Sequence, residues 1–282
     1  MKYKAFGMTG VGVPVIGQGT WNMPESGAAL KEAQRALRRG IELGMVHIDT
    51  AEMYGAGRVE ELVGETIRDI PREKLFIATK VLPSNATYRG TLNAAERSLS
   101  RLGCGYLDLY LLHWAGSHPL EETMRALEKL VEEGKTRFIG VSNFDTEEML
   151  AAAAFLRRER LACNQVLYHL CERGIEHRLI PEARDRGIAI VAYTPFGRGS
   201  FLRSNRGREA LERIGRKHGA TVRQVALAFL TRSPGVFAIP KAARVEHVEE
   251  NAGAAELELD ASDLAAIDAA FPRGKPGPLA SL

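Results

Sequence analysis

Short apolar runs rich in β-branched and aromatic residues alternate with helix-periodic segments along nearly the whole chain. Eight runs read as strands, over residues 13–17, 46–49, 75–80, 107–113, 138–142, 162–167, 188–193 and 236–240. Between them the apolar positions recur at helical spacing. Leu30, Ala33, Leu37 and Ile41 share one face, and Leu120, Met124, Leu127 and Val131 share another. Ser26 is placed to cap the first of these helices, and Asp145 with Glu148 three residues later spells a capping box. Gly44, Gly134 and Gly187 fall where a left-handed residue closes a last turn. Arg157-Arg158-Glu159-Arg160 reads as a solvated helix face.

Eight strands alternating with helices admit a closed barrel or an open doubly wound sheet. The alternation is regular, at roughly 30 residues per βαβ unit, and no strand is followed by a dinucleotide-binding glycine fingerprint. Gly10, Gly12, Gly17 and Gly19 surround Pro14 with no helix directly after them, so they read as turn glycines. The α/β class is therefore expected as a (β/α)8 TIM barrel with a closed, parallel, eight-stranded sheet. It forms a single domain over residues 1–282, with a short hairpin at about 2–12 and a short tail at about 252–282.

Composition narrows the picture. The 282 residues are 45% hydrophobic and 26% charged, which suits a chain that stabilises itself by one large core. The 38 basic and 35 acidic side chains are dispersed, and their net charge of +3 gives no basic block for nucleic acid. Three cysteines, Cys104, Cys163 and Cys171, lack paired spacing and fit a reducing compartment. The opening MKYKAFGMTGVG lacks a signal-like apolar run, and no stretch is long and apolar enough to span a bilayer, so a cytoplasmic protein is expected. Asn85-Ala86-Thr87 matches a glycosylation sequon only by chance in that setting. His169, Cys171 and His177 match no zinc spacing, and no metal is expected.

In a barrel of this kind the chemistry collects at the C-terminal strand ends. The polar residues there are Asp49, Lys80, His113, Ser142-Asn143, Gln165, Tyr193 and Lys241, and Tyr54 lies five residues beyond Asp49. Singly each has a structural explanation; together, at successive strand ends, they define a site. A phenol titrates near 10, so a neighbouring Lys80 ammonium is expected to lower the Tyr54 pKa, with Asp49 keeping Lys80 charged. His113 can orient a carbonyl oxygen toward Tyr54. Such a site protonates a carbonyl while a hydride arrives from a cofactor.

The segments IGQGTW (16–21), HIDTAEMYG (47–55), FIATKV (76–81), DLYLLHW (108–114), GVSNF (140–144), NQVLYH (164–169), AYTPFGRG (192–199) and IPKA (239–242) occur in an order that resembles the aldo-keto reductase superfamily. The resemblance runs from Gly17 to about Asn251. It implies a catalytic tetrad of Asp49, Tyr54, Lys80 and His113, with Tyr54 as general acid. It implies that Ser142, Asn143 and Gln165 hold the nicotinamide carboxamide and that Tyr193 stacks on the ring. Gly19, Thr20, Trp21, Thr194, Pro195, Phe196, Arg198, Ile239, Pro240, Glu250 and Asn251 complete the implied cofactor contacts. Trp21, Met53 and Trp114 join Tyr54 and His113 as the substrate pocket.

The family follows its IPK lysine with serine or threonine and places an arginine several residues on, to grip the 2'-phosphate of NADP. Here Lys241 is kept, but Ala242 and His247 stand at those positions, with Arg244 offering a guanidinium. NADPH is the expected cofactor, with NADH as the alternative. The tail FPRGKPGPLASL is short for a substrate-enclosing loop, so an open pocket with broad carbonyl tolerance is expected. The expected partner is a small carbonyl compound and the expected state a monomer or weak homo-oligomer. Two other readings stand beside a reductase of aldehydes, ketones or dicarbonyls. One is a Schiff-base aldolase using Lys80, which a charge-paired lysine disfavours; the other is a cofactor-sensing accessory subunit of the same fold.

Overall fold

The structure is a computed structural model that describes residues 1–281; residue 282, within the expected tail, lies outside the described residues. The chain opens with an antiparallel hairpin of β1 (Tyr3–Ala5) and β2 (Gly12–Pro14). Then follow β3 (Gln18–Gly19), α1 (Gly27–Glu42), β4 (His47–Asp49), α2 (Arg58–Ile67), β5 (Phe76–Val81), α3 (Tyr88–Leu102), β6 (Leu107–Leu112), α4 (Leu120–Glu132) and β7 (Thr136–Ser142). The order continues through α5 (Thr146–Phe155), β8 (Leu161–Leu167), α6 (Leu179–Asp185), β9 (Ala189–Tyr193), α7 (Asn205–His218), α8 (Val222–Leu230), β10 (Val236–Ala238), α9 (Val245–Gly253) and α10 (Ala261–Ala270).

Strands β3 to β10 pair in parallel, each with its neighbour in sequence. The sheet closes through bridges Ile16–Ala238 and Gly19–Lys241, with Gly17 N–H donating to Ala238 O at 2.8 Å. The (β/α)8 barrel is thus as expected, with one correction. Residues 13–17 are not one barrel strand: Val13 and Pro14 belong to the hairpin, and the barrel strand is β3. The glycines differ too. Gly10 is a turn residue with φ +73°, but Gly12 and Gly19 are in strands, and Gly17 lies where a Cβ would come within 2.7 Å of His47 O.

Helix ends follow local chemistry. Asp145 and Glu148 form the expected capping box on α5, whereas Ser26 stands at the N-cap of α1 without a side-chain cap bond. Gly44, Gly134 and Gly187 adopt φ of 88°, 69° and 65° after their helices. Residues 157–160 are a correction, since they form an irregular bend after α5 rather than a helix face. The N–H groups of Arg157, Arg158 and Glu159 converge there on Glu128 Oε1 at 2.6–3.0 Å.

Two cores result. The larger lies between the outward strand faces and the helices. The smaller fills the barrel with Phe6, Phe76, Leu109, Leu111, Cys163, Val191 and Phe237, and the hairpin's Phe6 plugs the N-terminal mouth.

Candidate active site

A strand's side chains alternate between faces, so the barrel interior is read at every second residue. Along β5 the series Phe76, Ala78, Lys80 is apolar at the bottom and charged at the top. The same ascent runs Leu109, Leu111, His113, then Ala189, Val191, Tyr193, then Phe237, Ile239, Lys241, and shorter versions are His47, Asp49 and Cys163, Gln165. Their last members meet at the C-terminal mouth.

The centre is a buried ion pair. Lys80 Nζ lies 2.6 Å from Asp49 Oδ1, both side chains being essentially inaccessible, and it also donates to Thr50 O at 2.8 Å. The other carboxylate oxygen, Oδ2, accepts from Gln165 Nε2 at 2.7 Å. Such satisfaction is what makes two desolvated charges tolerable. Burial opposes the Lys80 charge, but Asp49 and Tyr54 outweigh it, so the pKa is raised and the side chain is an ammonium. Lys80 Nζ lies 5.2 Å from the centroid of the Tyr54 ring.

Tyr54 begins a tight turn, Tyr54–Gly57, in which Gly55, Ala56 and Gly57 all have positive φ. Contrary to the expectation from Lys80 alone, burial raises the Tyr54 pKa, and Lys80 only draws it back in part. The phenol is therefore protonated at neutral pH, and the ammonium beside it favours the phenolate that forms when the proton leaves. The His113 ring meets Tyr54 edge-on, with centroids 5.9 Å apart, and Trp114 flanks it at 4.7 Å. Burial first, and the Lys80 charge second, push His113 down to about 2, so it is neutral. Its Nδ1 has no hydrogen-bond partner among the described residues.

The cleft over this centre, of about 200 Å³, is lined by Gly19, Thr20, Trp21, Asp49, Met53, Tyr54, His113, Trp114, Ser142, Asn143, Gln165, Tyr193, Thr194, Arg198, Ile239 and Lys241. Each belongs to the set expected from sequence; Lys80 lies beneath, enclosed. Asn143 Nδ2 donates to His113 O at 3.0 Å and to Ser142 Oγ at 3.2 Å, and its Oδ1 accepts from the Tyr193 hydroxyl at 2.7 Å. Arg198 stacks over Trp21 at 5.0 Å. Trp21, Met53 and Trp114 remain 37–38% exposed, forming an apolar rim.

Backbone conformation marks the same place independently. The non-glycine residues with positive φ among the described residues are Asn22, Ala56, Asn143, Thr194 and Arg198. Three line the cleft, and the others adjoin Trp21 and the Tyr54 turn. Such conformations are costly and concentrate where a fold over-determines a functional geometry.

A second cavity, of about 220 Å³, shares Lys241 with the cleft and is lined by Phe196, Gly199, Phe201, Leu202, Arg223, His247, Glu250 and Asn251. No acid pairs with Lys241 among the described residues, and its partial desolvation lowers its pKa. Arg223 stands 3.7 Å from Glu250 Oε2 and faces the Phe196 ring at 6.0 Å. It was missed in the sequence because it sits in the first turn of α8, away from any strand end. Of the expected cofactor residues, Pro195, Pro240, Ala242 and Arg244 line neither cavity. Ala242 is buried, and Arg244 is exposed with Glu246 at 3.4 Å. Tail residues 276–280 lie against Asp145, Glu172 and His177, in a different groove. No helix among the described residues is long and apolar enough to cross a membrane.

The family model described as the aldo/keto reductase family matches residues 15–271. Over 266 residues the chain is 45% identical to methylglyoxal reductase YeaE of Escherichia coli, covering 94% of this chain and 93% of that protein. It is 38% identical to the glyoxal reductase of Bacillus subtilis, covering 95% and 93%. An aldo-keto reductase from Klebsiella pneumoniae, solved in complex with NADPH, superposes with a TM-score of 0.93 at 43% identity over all of both chains. Fold, interior chemistry and these likenesses agree, and the chain belongs to the aldo/keto reductase family.

Proposed function

We propose that this protein reduces small aldehydes, ketones and above all dicarbonyls to alcohols, with NADPH as hydride donor and Tyr54 as general acid. The observation that carries the reading is the Asp49–Lys80 ion pair enclosed beneath a protonated Tyr54, with a neutral His113 at its side. Lys241, with no acid paired to it among the described residues and with Arg223 and His247 lining the same cavity, suits an anionic phosphate, and two cavities sharing Lys241 suit an elongated dinucleotide. The relatives that act on methylglyoxal and glyoxal point to dicarbonyls, and the NADPH complex of the similar Klebsiella protein points to the cofactor.

NADPH would lie along Lys241, Arg223 and Asn251 toward Tyr193 and Ser142, and when bound it supplies the hydride. The chain does the rest. A carbonyl oxygen entering between Tyr54 and His113 meets a phenol donor and a neutral imidazole. As negative charge develops on that oxygen, Tyr54 Oη gives up its proton and the Lys80 ammonium stabilises the phenolate. Asp49 holds Lys80 in place beneath the cleft. The open rim of Trp21, Met53 and Trp114 suits varied small carbonyls.

An aldolase mechanism through Lys80 is disfavoured, because that amine is charged and held by Asp49 and Thr50. The test is NADPH and NADH consumption at 340 nm with small aldehydes and dicarbonyls, wild type against Tyr54→Phe. Loss of kcat by roughly 100-fold or more, with NADPH binding retained, is expected. Wild type that binds NADPH yet turns over no carbonyl would shift the reading to a cofactor-sensing subunit.

A further inference from the structure

Glu52 lies two residues before Tyr54 and is a buried carboxylate that the chemistry described so far leaves idle. Its Oε1 accepts from Leu82 N–H at 2.7 Å and from Asn85 Nδ2 at 2.9 Å, both in the segment that follows Lys80 and β5. Its other oxygen faces Arg97 of α3 at 3.5 Å, and its own N–H donates to Lys80 O at 3.3 Å. One side chain therefore ties the loop carrying the phenol to the strand end carrying the ammonium. The turn that follows has three successive positive φ values and bonds only within its own loop at Tyr54 N–H to Ala51 O (3.0 Å) and Ala56 N–H to Met53 O (3.2 Å), whereas the Glu52 side chain reaches across to the chain after β5.

We infer that Glu52 is a positioning residue that sets the separation of Tyr54 and Lys80 by clamping the Tyr54 loop to the chain after β5. The inference rests on the reductase reading for its kinetic consequence, but the clamp itself is a statement about where Tyr54 sits. An acid is suited to the task. Two donors converge on one oxygen and a guanidinium faces the other, so a carboxylate satisfies all three while an amide keeps only the neutral contacts. Displacement of the phenol by about 1 Å is enough to lower turnover on the order of 100-fold without altering how the cofactor is held.

Glu52→Ala and Glu52→Gln separate positioning from folding. In Glu52→Ala, kcat for a dicarbonyl should fall roughly 30- to 100-fold, while the NADPH Kd, read by quenching of tryptophan fluorescence, stays unchanged. Glu52→Gln keeps an oxygen for Leu82 and Asn85 and should restore most of kcat. A readout independent of turnover is the ring-carbon chemical shift of labelled tyrosine, with Tyr54 assigned through Tyr54→Phe. It should move in Glu52→Ala and return in Glu52→Gln. The clamp is refuted by folded Glu52→Ala with wild-type kcat and an unmoved Tyr54 signal. It is also refuted if both variants lose kcat, NADPH affinity and melting temperature together, since that pattern belongs to a purely structural residue. If wild type reduces no carbonyl, the reductase reading fails by itself, and the Tyr54 signal still decides the clamp.

Discussion

Two histidines inside the barrel are held neutral for the same reason and have opposite visibility. Burial pushes His47 down to about 3 and His113 down to about 2, with the Lys80 charge adding to both. His113 lines the cleft, so its neutrality bears on turnover. The pH profile of kcat/KM for carbonyl reduction should be flat from pH 5 to 8 with no limb near 6.5, falling only where Tyr54 loses its proton at alkaline pH. A limb near 6.5 that disappears in His113→Asn would overturn the neutral-imidazole assignment. His47 is silent in turnover but not in stability. Its ring packs edge-on against Phe6 and Phe76, and neither nitrogen has a hydrogen-bond partner among the described residues. Above pH 6.5 folded and unfolded chains both hold neutral imidazole. Below it the unfolded chain binds protons that the folded chain refuses, so stability falls as pH drops from 6.5 toward 3. Each histidine contributes a loss of up to about 2 kcal/mol between pH 6.5 and 5. Urea unfolding of His47→Phe at those two pH values should show that share of the acid loss removed, and an unchanged acid loss would exclude His47 as its source.

Elements whose ends are fixed locally were legible, and those fixed from a distance were not. Asp145 and Glu148 announce α5 because a capping box is a contact between residues three apart. Asp145→Ala should accordingly lower stability by about 1 kcal/mol in urea melts, with Asp145→Asn losing less. Residues 157–160 look helical by charge, yet their amides are claimed by Glu128 from another helix, which periodicity cannot register. The apolar stretch 13–17 is divided between hairpin and barrel by partners as distant as Lys2 and Ala238. Arg223 escaped for a related reason, since only the packing of α8 beside Phe196 and Glu250 brings it to the second cavity. Its prediction belongs to that packing. Arg223→Ala should weaken NADPH about tenfold or more while changing NADH little, because one guanidinium–phosphate contact is charge-assisted. Fluorescence titration of both cofactors checks it, and equal weakening of the two would assign Arg223 to adenine or structure instead of the 2'-phosphate.

At the scale of the molecule, the interior changes character along the barrel axis, from Phe6, Phe76 and Phe237 at one mouth to Asp49, Lys80 and His113 near the other. That gradient was readable because strands such as β5, β6, β9 and β10 carry it in sequence, as alternate residues. The closed barrel was expected too, but the place of its seam was not, because it depends on one short strand, β3, meeting the last one. Gly17 shows how tight that seam is. A Cβ there would lie 2.7 Å from His47 O and 3.0 Å from the His47 ring, both fully buried and unable to retreat. Gly17 N–H meanwhile holds Ala238 O at 2.8 Å across the seam. Gly17→Ala must therefore push the first barrel strand off β4 or off the last strand, and should destabilise the fold by about 1–3 kcal/mol. Gly19, Thr20 and Trp21 follow directly and line the cleft, so the displacement should also weaken NADPH binding. Gly10→Ala is the matched comparison, with a positive φ but no atom within 4 Å of its Cβ, at the hairpin turn. It should destabilise by about 1 kcal/mol from backbone strain alone and leave cofactor affinity untouched. Thermal melts of both variants with and without NADPH distinguish the cases. If Gly17→Ala melts like Gly10→Ala and binds NADPH like wild type, the seam does not couple barrel closure to the cleft.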